Sequence, residues 1–397
     1  MTVAESLGFL SGQAAVVRAT GLEVHAISAP GPELRCFGEA EGVVVHAVPM
    51  TRRITPVQDL RSVWRTWRTL RAIRPQIVHA HTPKGGLVGM IAAALAGTPV
   101  RIYHIRGLPL VTATGLRRRL LWLAERLSCT LAHRVLAVSN SMRALAIAEG
   151  LCPPEKIAVL LSGSGNGVDA RGRFRPVDVA ARRAVRERHG IPADALVVGF
   201  LGRLVREKGI VELSNAWRVV REREPRVRLL LVGQEDATDP LPAGLEAALR
   251  SDPRVHVVGG VPFPEVPAVY GAVDVVALPT YREGFSNVAL EAAAMGVPIV
   301  ASRVPGCTDA VRDGETGTLV PPRDAAALAA ALARYLADPE LRARHGAAAR
   351  RWVMAEFQPE PLRHALAAEY CQLLAAARAG GPAVPAAAPS RGVLDRT

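Results

Sequence analysis

The sequence predicts an α/β protein with two domains, each built around a doubly wound parallel sheet. Short runs rich in Val, Ile and Leu alternate with longer amphipathic segments, which is the pattern of strand–helix units in parallel sheets. A Gly- and Ser-rich segment, 162–176, interrupts this pattern once, and the pattern then restarts. With 397 residues, of which 49% are apolar, the chain is long enough for two hydrophobic cores.

The first half contains six predicted strands, at 22–28, 43–48, 76–81, 100–105, 134–139 and 157–161. Before them, residues 1–13 have the composition of a ligand-binding loop, almost without the strand that normally opens a doubly wound domain. We therefore expect either a start codon upstream of Met1 or a domain that lacks its central strand, and we favour the upstream start.

The second half contains five predicted strands, at 196–201, 227–232, 255–257, 274–278 and 298–301, followed by helical segments at 325–336, 341–356 and 359–377. We assign residues 1–169 to the first domain, 170–190 to a linker or hinge and 191–356 to the second domain. A final helix, 357–378, and a disordered tail rich in Pro, Ala and Gly, 379–397, complete the predicted organisation.

Cysteine usage and hydropathy predict a cytoplasmic protein. The five cysteines are scattered singly, which argues against a disulfide framework and a zinc site. The N-terminus lacks the basic start and apolar core of a signal peptide, and the longest apolar stretch, 85–97, is too short to cross a bilayer.

Positive charge is concentrated in the first half of the chain. The net charge is +13, and residues 1–169 carry 19 Lys and Arg against 10 Asp and Glu. Two segments, 60–73 and 116–127, place Arg beside Trp and Leu, as in helices that lie on an anionic membrane. They fit ordinary helices packed on a sheet nearly as well, and a high-GC genome also explains the Arg content. We expect a peripheral position on the inner face of the plasma membrane, and no nucleic acid partner.

The segment 278–302, LPTYREGFSNVALEAAAMGVPIVAS, carries the clearest chemical signal. A buried strand ends here, and a helix begins near Ser286 or Asn287. Strand end, loop and helix N-terminus form an anion site, because free backbone N–H groups and the helix dipole meet there. Glu283 and Glu291 frame this site, and their carboxylates suit hydroxyl groups. A ligand with a central phosphate and hydroxyl groups at both ends, such as a nucleotide sugar, fits this site. The alternative is that Glu283 and Glu291 are ordinary solvent-exposed charges.

The segment GRLVREKGI places Arg203 and Lys208 where another strand ends, which is where open α/β sheets bind ligands. Arg203 can fork onto diphosphate oxygens and Lys208 supplies a mobile point charge, although each alone is more often a surface charge. The chain has no D-x-D triplet. Arg203, Lys208 and the helix N-terminus near Ser286 would supply the positive charge that a bound metal ion would otherwise bring, so we expect no metal and no cofactor.

In the first half, HAHTPKGG places His79 and His81 at a strand end. The H-x-H spacing suggests a metal pair, but the sequence shows no third ligand. We prefer His81 and Lys84 as acceptor or phosphate contacts. In the next strand, YHIRGLP, Arg106 can bind phosphate and His104 lies on the same face two residues earlier.

The segment 279–302, together with GRLVREKG, resembles the E-x7-E signature of the retaining glycosyltransferases of family 4. The resemblance implies the GT-B fold, with two Rossmann-like domains facing across a cleft and a final helix that crosses back to the first domain. It implies that Glu291 binds the ribose, that Glu283 binds the transferred sugar, and that Arg203 and Lys208 neutralise the leaving diphosphate. By the same resemblance the remaining donor contacts are Gly233 near the base and the backbone of Gly284, Phe285, Ser286 and Asn287 at the diphosphate.

The first half, with HAHTPKGGLVGM and RGLPLVTATGLRRRLL, is similar to bacterial transferases that extend sugars linked to undecaprenyl diphosphate. This implies a UDP-linked donor, such as an N-acetylhexosamine, and a lipid-diphosphate acceptor. The family often has His directly before Gly107, where this chain has Arg106. That departure leaves a rival: a non-catalytic protein that binds nucleotide sugars in a polysaccharide complex. A dinucleotide oxidoreductase is disfavoured, because no G-x-G-x-x-G follows a strand.

Overall fold

The computed structural model describes residues 1–51, 53–237 and 239–380. The tail predicted at 379–397 therefore lies outside the described residues, apart from its first two. The described chain forms two compact units: unit 1 contains Met1–Asn166 and the segment that begins at Pro359, and unit 2 contains Gly167–Gln358.

The strands of unit 1 are β1 His25–Ser28, β2 Val44–Ala47, β3 Ile77–His81, β4 Val100–Ile105, β5 Arg134–Ala137 and β6 Ile157–Ala158. Its helices are α1 Gln13–Arg18, α2 Pro32–Glu41, α3 Pro56–Ile73, α4 Pro83–Leu95, α5 Gly115–Leu131, α6 Asn140–Ala148 and α15 Pro359–Arg378. The strands of unit 2 are β7 Leu196–Leu201, β8 Val227–Val232, β9 Val255–Gly259, β10 Val275–Leu278, β11 Ile299–Ser302 and β12 Gly317–Val320. Its helices are α7 Val179–Arg188, α8 Ile210–Arg223, α9 Leu245–Ser251, α10 Val266–Ala272, α11 Asn287–Ala294, α12 Cys307–Ala310, α13 Ala325–Ala337 and α14 Pro339–Glu356.

The strands of unit 1 form two separate parallel sheets. One is the pair β1–β2, and the other has the order β3-β4-β5-β6. Alternate residues of β4 face opposite cores: Tyr103 and Ile105 pack with the side that includes α4 and α5, whereas Val100 and Ile102 pack against α15. Helices therefore cover both faces of the larger sheet.

Helix α15 belongs to unit 1 although it lies about 200 residues downstream of the other elements. Leu366 and Leu373 pack against the sheet, and Glu369 forms a buried ion pair with Arg134 of β5 at 2.8 Å. Chain order alone would place this helix with unit 2.

Unit 2 has one parallel sheet with the order β12-β11-β10-β7-β8-β9. The first strand of the unit, β7, lies between β8 and β10, so successive connections run in opposite directions from it. This is the doubly wound order, and its switch point lies between β7 and β10. The predicted class, two Rossmann-like α/β units with parallel sheets, is confirmed.

The predicted linker, 170–190, differs from the structure. Asp178 caps α7 by accepting a hydrogen bond from the Ala181 N–H group at 2.7 Å, and α7 packs on α10 in unit 2. The buried Arg186 on α7 reaches Asp274 at 2.9 Å. The Gly- and Ser-rich composition that suggested a linker ends before this amphipathic segment begins.

None of the described helices combines the length and apolar character needed to span a bilayer.

Candidate functional site

The loops that follow β7 and β10 lie side by side at the switch point of unit 2. The Tyr281 N–H group donates to the Glu207 carbonyl oxygen at 2.8 Å, which links the two loops through their backbones. Gly209 has a φ of +74°, and a Cβ atom there would lie 2.0 Å from the Pro279 carbonyl oxygen. Only glycine allows this approach. The predicted Arg203–Lys208 segment is thereby held beside the predicted Glu283 loop.

Lys208 and Glu283 form a close ion pair. The Lys208 Nζ atom lies 2.5 Å from Glu283 Oε1, and both side chains are mostly shielded from water. Two residues that were predicted separately, one for the diphosphate and one for the sugar, therefore share one location. A cation in contact with a carboxylate at this edge can also bind the phosphate of a ligand that the carboxylate binds.

Arg203 belongs to a second charge network at this edge. It donates to Asp236 Oδ2 at 2.6 Å and to Glu207 Oε1 at 3.0 Å, while Arg282 reaches the other oxygen of Glu207 at 2.5 Å. Burial opposes ionisation of Glu207, but Arg282 and Arg203 together lower its pKa below the usual range. Glu207 and Asp236 thus act as counter-ions for Arg203 and Arg282, and these ion pairs hold the two arginines at the sheet edge.

Sequence reasoning missed the counter-ions Glu207, Asp236 and Arg282. The spacing of four residues between Arg203 and Glu207 was a usable signal, since such pairs are neighbours on a helical turn. Asp236 and Arg282 gave no signal, because they come from loops that only the sheet order brings together.

Helix α11 begins where the sequence predicts. Ser286 is its N-cap, and the Ser286 hydroxyl accepts a hydrogen bond from the Ala289 N–H group at 3.2 Å. The remaining first-turn N–H groups have no acceptor within the helix, which leaves them available to an anion. Phe285 packs against Phe357, with ring centroids 5.5 Å apart. Its side chain therefore anchors the loop, and Gly284 and Asn287 flank that anchored segment.

Gly233 lies at the end of β8 in a tight backbone contact. Its φ is +147°, and a Cβ atom there would lie 1.8 Å from the Gly202 carbonyl oxygen. The residue holds the loop after β8 against the loop after β7. Its predicted place near the nucleotide base stays a prediction.

Glu291, on the first turns of α11, is buried beside Tyr270 of α10. The Tyr270 hydroxyl donates to Glu291 Oε2 at 2.9 Å. Burial raises the pKa of Glu291 to about 7, although the hydrogen bond from Tyr270 counteracts part of that effect. The Glu291 carboxyl group can therefore gain or lose a proton near neutral pH. Its ionised form is the stronger acceptor of hydrogen bonds from hydroxyl groups. No sequence motif pointed to Tyr270 as a partner of Glu291.

Unit 1 contains a cluster of three histidines. His79 and His81 lie on β3 with ring centroids 4.0 Å apart, and His104 of β4 is the register partner of His81. The sequence showed no third ligand next to the H-x-H pair, and the structure supplies one in His104. In the part of the chain that the structure describes, these side chains are the one group whose ligand atoms all lie within 4.8 Å of one another.

Arg106 lies against this cluster and gives it positive charge. The Arg106 Nε atom donates to His81 Nδ1 at 3.2 Å, and one terminal nitrogen of Arg106 is buried without a hydrogen-bond partner. Among the described residues, no carboxylate forms an ion pair with Arg106. Burial lowers the pKa of Arg106 to about 10, so the group stays cationic at neutral pH. Burial and then the Arg106 charge lower the pKa of His79 to about 3.

The balance of charge favours an anion at this cluster. Neutral imidazoles can ligate a metal ion, but a guanidinium in contact with them repels one. Two further buried nitrogens, His79 Nε2 and His104 Nδ1, have no hydrogen-bond partner. The predicted contact Lys84 is not brought into this group: it pairs with Asp59 of α3 at 2.7 Å.

Comparisons with known proteins agree with the predicted fold and with a glycosyltransferase family. Residues 181–352 match the family model of glycosyl transferases group 1, and residues 9–163 match that of a glycosyl transferase 4-like domain. Over 370 residues the chain is 32% identical to the capsular polysaccharide biosynthesis glycosyltransferase CapM of Staphylococcus aureus, covering 93% of this chain and 95% of that protein.

Two solved structures show the same architecture. HepE of Anabaena in complex with UDP-glucose superposes with a TM-score of 0.74 at 22% identity, over 94% of this chain and 96% of HepE. Sucrose-phosphate synthase of Thermosynechococcus elongatus gives a TM-score of 0.77 at 24% identity, over 93% of each chain. At such identities the likeness concerns the fold, which is GT-B. Because the sequence match to a named relative spans nearly the whole chain, this protein belongs to the group 1 glycosyltransferases.

Proposed function

We propose that this protein is a retaining, metal-independent glycosyltransferase of family 4. It moves a sugar, such as an N-acetylhexosamine, from a UDP-linked donor to a lipid-linked acceptor during cell-surface polysaccharide assembly. The observation that carries the proposal is the Lys208–Glu283 pair at the switch point of unit 2, with the buried Glu291 on the adjoining helix. A relative named for capsular polysaccharide biosynthesis and a structural neighbour that holds UDP-glucose support it.

Each donor-side residue has a role that follows from its chemistry. Arg203 and Lys208 neutralise the diphosphate as it leaves, and the N-terminus of α11 donates hydrogen bonds to it. Glu291 accepts hydrogen bonds from the ribose hydroxyls, and Glu283 orients the transferred sugar. Because Lys208 already supplies positive charge in contact with Glu283, leaving-group stabilisation needs no metal ion or cofactor.

The transfer step needs no protein nucleophile. The acceptor hydroxyl oxygen bonds to the anomeric carbon on the face from which the diphosphate departs, while the bond from that carbon to the phosphate oxygen breaks. The departing phosphate takes the hydroxyl proton, so the products are the glycoside and the nucleoside diphosphate, and the configuration is retained. The protein contributes positioning and electrostatic stabilisation.

The acceptor side is unit 1, where Arg106 and the adjoining imidazoles of His81 and His104 bind a phosphate of the acceptor. Arg106 carries this assignment, since it is a cation without a carboxylate partner among the described residues. Replacement by Gln should raise the KM for a diphosphate acceptor at least tenfold and change donor affinity little. Lys at this position should restore part of the loss, because it keeps the charge and loses the planar fork.

An apolar stripe on α5 supports a peripheral position on an anionic membrane. Leu116, Leu120, Leu123 and Leu127 recur at helical spacing and are 72%, 46%, 57% and 42% exposed. The exposed Arg117 and Arg119 border this stripe. On α3, Leu60 and Trp64 are exposed, whereas Leu70 is buried. An exposed Leu stripe with basic borders suits the boundary between lipid headgroups and acyl chains.

A donor screen tests the catalytic proposal. The purified protein is mixed with UDP-, GDP- and ADP-sugars, and thermal shift and nucleotide release are measured with and without EDTA. We expect one nucleotide class to stabilise the protein, EDTA to leave release unchanged, and Glu291→Ala to abolish the shift. Glu315→Ala, which removes an exposed carboxylate, is the matched control. If a nucleotide sugar raised the Tm of the protein but no nucleotide were released in the presence of membrane acceptors, the result would favour a non-catalytic protein that binds nucleotide sugars. If no nucleotide sugar raised the Tm, the proposal would be contradicted.

A further inference from the structure

Tyr370 of α15 forms a hydrogen bond with the histidine cluster of unit 1. The Tyr370 hydroxyl oxygen lies 2.6 Å from His79 Nδ1, and the two rings meet edge to face with their centroids 5.7 Å apart. The two residues are 291 positions apart in the chain. Helix α15 therefore contributes a polar group to a cluster whose other members come from β3, β4 and the loop after β4.

Packing fixes the position of Tyr370. Leu366 and Leu373 lie on the same face of α15 as Tyr370, and both leucines are buried against the sheet. His79 and His81 are two residues apart on β3, so both side chains point to the sheet face that α15 covers. The Tyr370 hydroxyl is thereby held at a fixed place beside the His79 ring.

The Tyr370 hydroxyl is the donor in this hydrogen bond. Burial raises the pKa of Tyr370 above its ordinary value, although the Arg106 charge opposes part of that effect, so the phenol keeps its proton at neutral pH. Burial and then the Arg106 charge lower the pKa of His79, so its imidazole is neutral and carries one proton. A phenol is a stronger hydrogen-bond donor than a neutral imidazole, because it is the more acidic group. His79 Nδ1 is therefore the acceptor, and the imidazole proton lies on Nε2.

His81 has the same tautomer for a different reason. The Arg106 Nε atom lies 3.2 Å from His81 Nδ1, and a guanidinium group can only donate. Burial lowers the pKa of His81 well below its usual range, so His81 is also neutral and its proton lies on Nε2. Both histidines of β3 therefore present an N–H group at Nε2.

The Nε2–H group of His79 has no acceptor among the described residues. The nitrogen is buried without a hydrogen-bond partner, as is one terminal nitrogen of Arg106. One ring nitrogen from each of His79, His81 and His104 lies within 4.8 Å of the other two, so these rings can contact the same phosphate group. A buried donor without an acceptor is costly, and a phosphate oxygen supplies the missing acceptor.

We infer that Tyr370 is a positioning residue of the acceptor site. By donating to Nδ1, it holds the His79 ring with its Nε2–H group available to a phosphate oxygen, so that His79 joins Arg106 and the other two imidazoles in binding the acceptor. This inference rests on the proposed acceptor-side function of unit 1. It adds a neutral donor to the site, and it makes α15 a part of the site as well as a cover for the sheet.

The position of the His79 proton can be measured without substrate or turnover. Long-range proton–nitrogen NMR is recorded on the full chain with ¹⁵N-labelled histidine, and His79→Gln identifies the His79 signals by their loss. We expect the proton on Nε2 in the wild type, and we expect Tyr370→Phe to change the Nδ1 chemical shift because that nitrogen loses its hydrogen bond. A proton on Nδ1, or an Nδ1 shift that is the same in Tyr370→Phe, would overturn the inference and would leave the proposed transferase activity intact.

The chain offers a matched control in unit 2. The Tyr335 hydroxyl oxygen lies 2.8 Å from His345 Nδ1, so Tyr335→Phe removes a second buried hydrogen bond between Tyr and His. This variant should leave the His79 signals unchanged. A change of the His79 signals in Tyr335→Phe equal to that in Tyr370→Phe would overturn the inference, because the effect would then come from a general loss of stability.

Inorganic pyrophosphate, which stands in for the diphosphate of the acceptor, tests the consequence for binding. The same spectra report binding at the cluster itself, so pyrophosphate bound in unit 2 does not interfere. We expect the cluster signals to shift, and half-saturation to need about fivefold more pyrophosphate in Tyr370→Phe than in the wild type or in Tyr335→Phe, for one positioned hydrogen bond. Equal half-saturation in all three proteins would overturn the inference. Cluster signals that do not respond in the wild type would overturn both the inference and the assignment of the acceptor to unit 1.

Substitutions at His79 check which nitrogen contacts the phosphate. A Gln side chain places its amide near the Nε2 position, whereas an Asn side chain reaches only the Nδ1 position. His79→Gln should therefore keep most of the affinity for pyrophosphate, and His79→Asn should lose about tenfold, as read from the His81 and His104 signals. Equal losses in the two variants would show that the Nε2–H group does not bind the phosphate.

Discussion

Glu291 is the residue whose protonation should set the pH dependence of donor binding. Its folded-state pKa is about 7 because of burial, so the free protein carries a neutral carboxyl group below that pH and a carboxylate above it. If the ribose hydroxyls require the carboxylate, nucleotide affinity should fall as pH decreases. We expect UDP to bind about tenfold more weakly at pH 6 than at pH 8, as for a single proton competing with ligand. Titration calorimetry across this range measures the effect.

The pH effect has a matched control. Glu291→Gln cannot ionise, so its nucleotide affinity should be weak at every pH and should not change between pH 6 and pH 8. Tyr270→Phe keeps the ring and removes the hydroxyl that donates to Glu291, so the midpoint of the profile should move to higher pH. A profile that is the same in the wild type and in Glu291→Gln would assign the titration to another group.

The Lys208–Glu283 pair should behave as one functional unit. We expect Lys208→Ala to lower kcat by about a hundredfold to a thousandfold, by analogy with the loss of an oxyanion-stabilising donor. Glu283→Ala should lower kcat more than it lowers nucleotide affinity, since the proposed role of Glu283 is to bind the sugar rather than the nucleotide. The double variant should be about as slow as the slower single variant, because each side chain holds the other in place.

Steady-state kinetics with saturating donor measures these three variants. Arg183→Ala is the control, because Arg183 forms an exposed i,i+4 pair with Glu187 on α7 and should leave kcat unchanged. Strictly additive losses in the double variant would mean that Lys208 and Glu283 act on separate parts of the substrate.

At the level of single residues, the sequence predicts positions well and partners poorly. Glu283, Glu291, Arg203 and Lys208 follow from a motif at a strand end, and the structure brings Lys208 to Glu283. The hydrogen bond from Tyr270 to Glu291 could not be foreseen, because the two residues come from different helices. Lys84 was expected near His81, but a carboxylate on α3 pairs with it instead. Partners across the fold depend on packing, which spacing along the chain does not encode.

Among the helices, α5 is expected to carry the membrane contact. Its four exposed leucines form one stripe, while Leu121 and Trp122 pack inward against the core of unit 1. We expect Leu120→Glu with Leu123→Glu to reduce binding to vesicles of mixed zwitterionic and anionic lipid by at least tenfold, because each carboxylate must leave water and approach negative headgroups. Vesicle co-sedimentation measures the bound fraction.

The control for α5 comes from unit 2. Val219 on α8 is also a partly exposed apolar residue, at 38%, and Val219→Glu should not change vesicle binding. Binding of the wild type should weaken with added salt, since the arginines beside the stripe contribute screened attraction. Binding that is absent at low salt in the wild type would contradict a membrane role for α5.

Strands were easier to predict than the segments between them. The run 274–278 is continuous and apolar because its strand is buried on both faces, and the structure places β10 there. The segment 157–161 reads equally well as a strand, but only Ile157 and Ala158 pair with β5. Helix α7 was hidden in a predicted linker, since its core-facing residues include Arg186, which a hydrophobic pattern does not count.

On the scale of the whole molecule, each unit has its own core and its own site. One hydrophobic core cluster of unit 2 is built around β7, β8 and α13, and one cluster of unit 1 is that in which α15 covers β4. Alternating strand and helix patterns predict two such units, because each parallel sheet must be covered on both faces. The membership of α15 in unit 1 does not follow from its own sequence pattern, which would suit either sheet.

The buried Arg134–Glu369 pair should make unit 1 depend on α15. Both side chains are almost fully buried, and Glu369 is the carboxylate that pairs with Arg134. Glu369→Ala leaves a buried guanidinium without its counter-ion, so we expect a loss of about 3–5 kcal/mol in the free energy of unfolding of unit 1. For a unit of this size that corresponds to a decrease in Tm of about 10 °C, which scanning calorimetry would resolve.

Two comparisons separate this effect from a general loss of stability. UDP should raise the Tm of unit 2 to the same extent in the wild type and in Glu369→Ala, because the donor-side residues belong to a different unit. Replacing both partners by apolar residues of similar size, Arg134→Met with Glu369→Leu, should recover most of the loss, since no buried charge then lacks a partner. If Glu369→Ala unfolds at the wild-type temperature, α15 does not stabilise unit 1 through this ion pair.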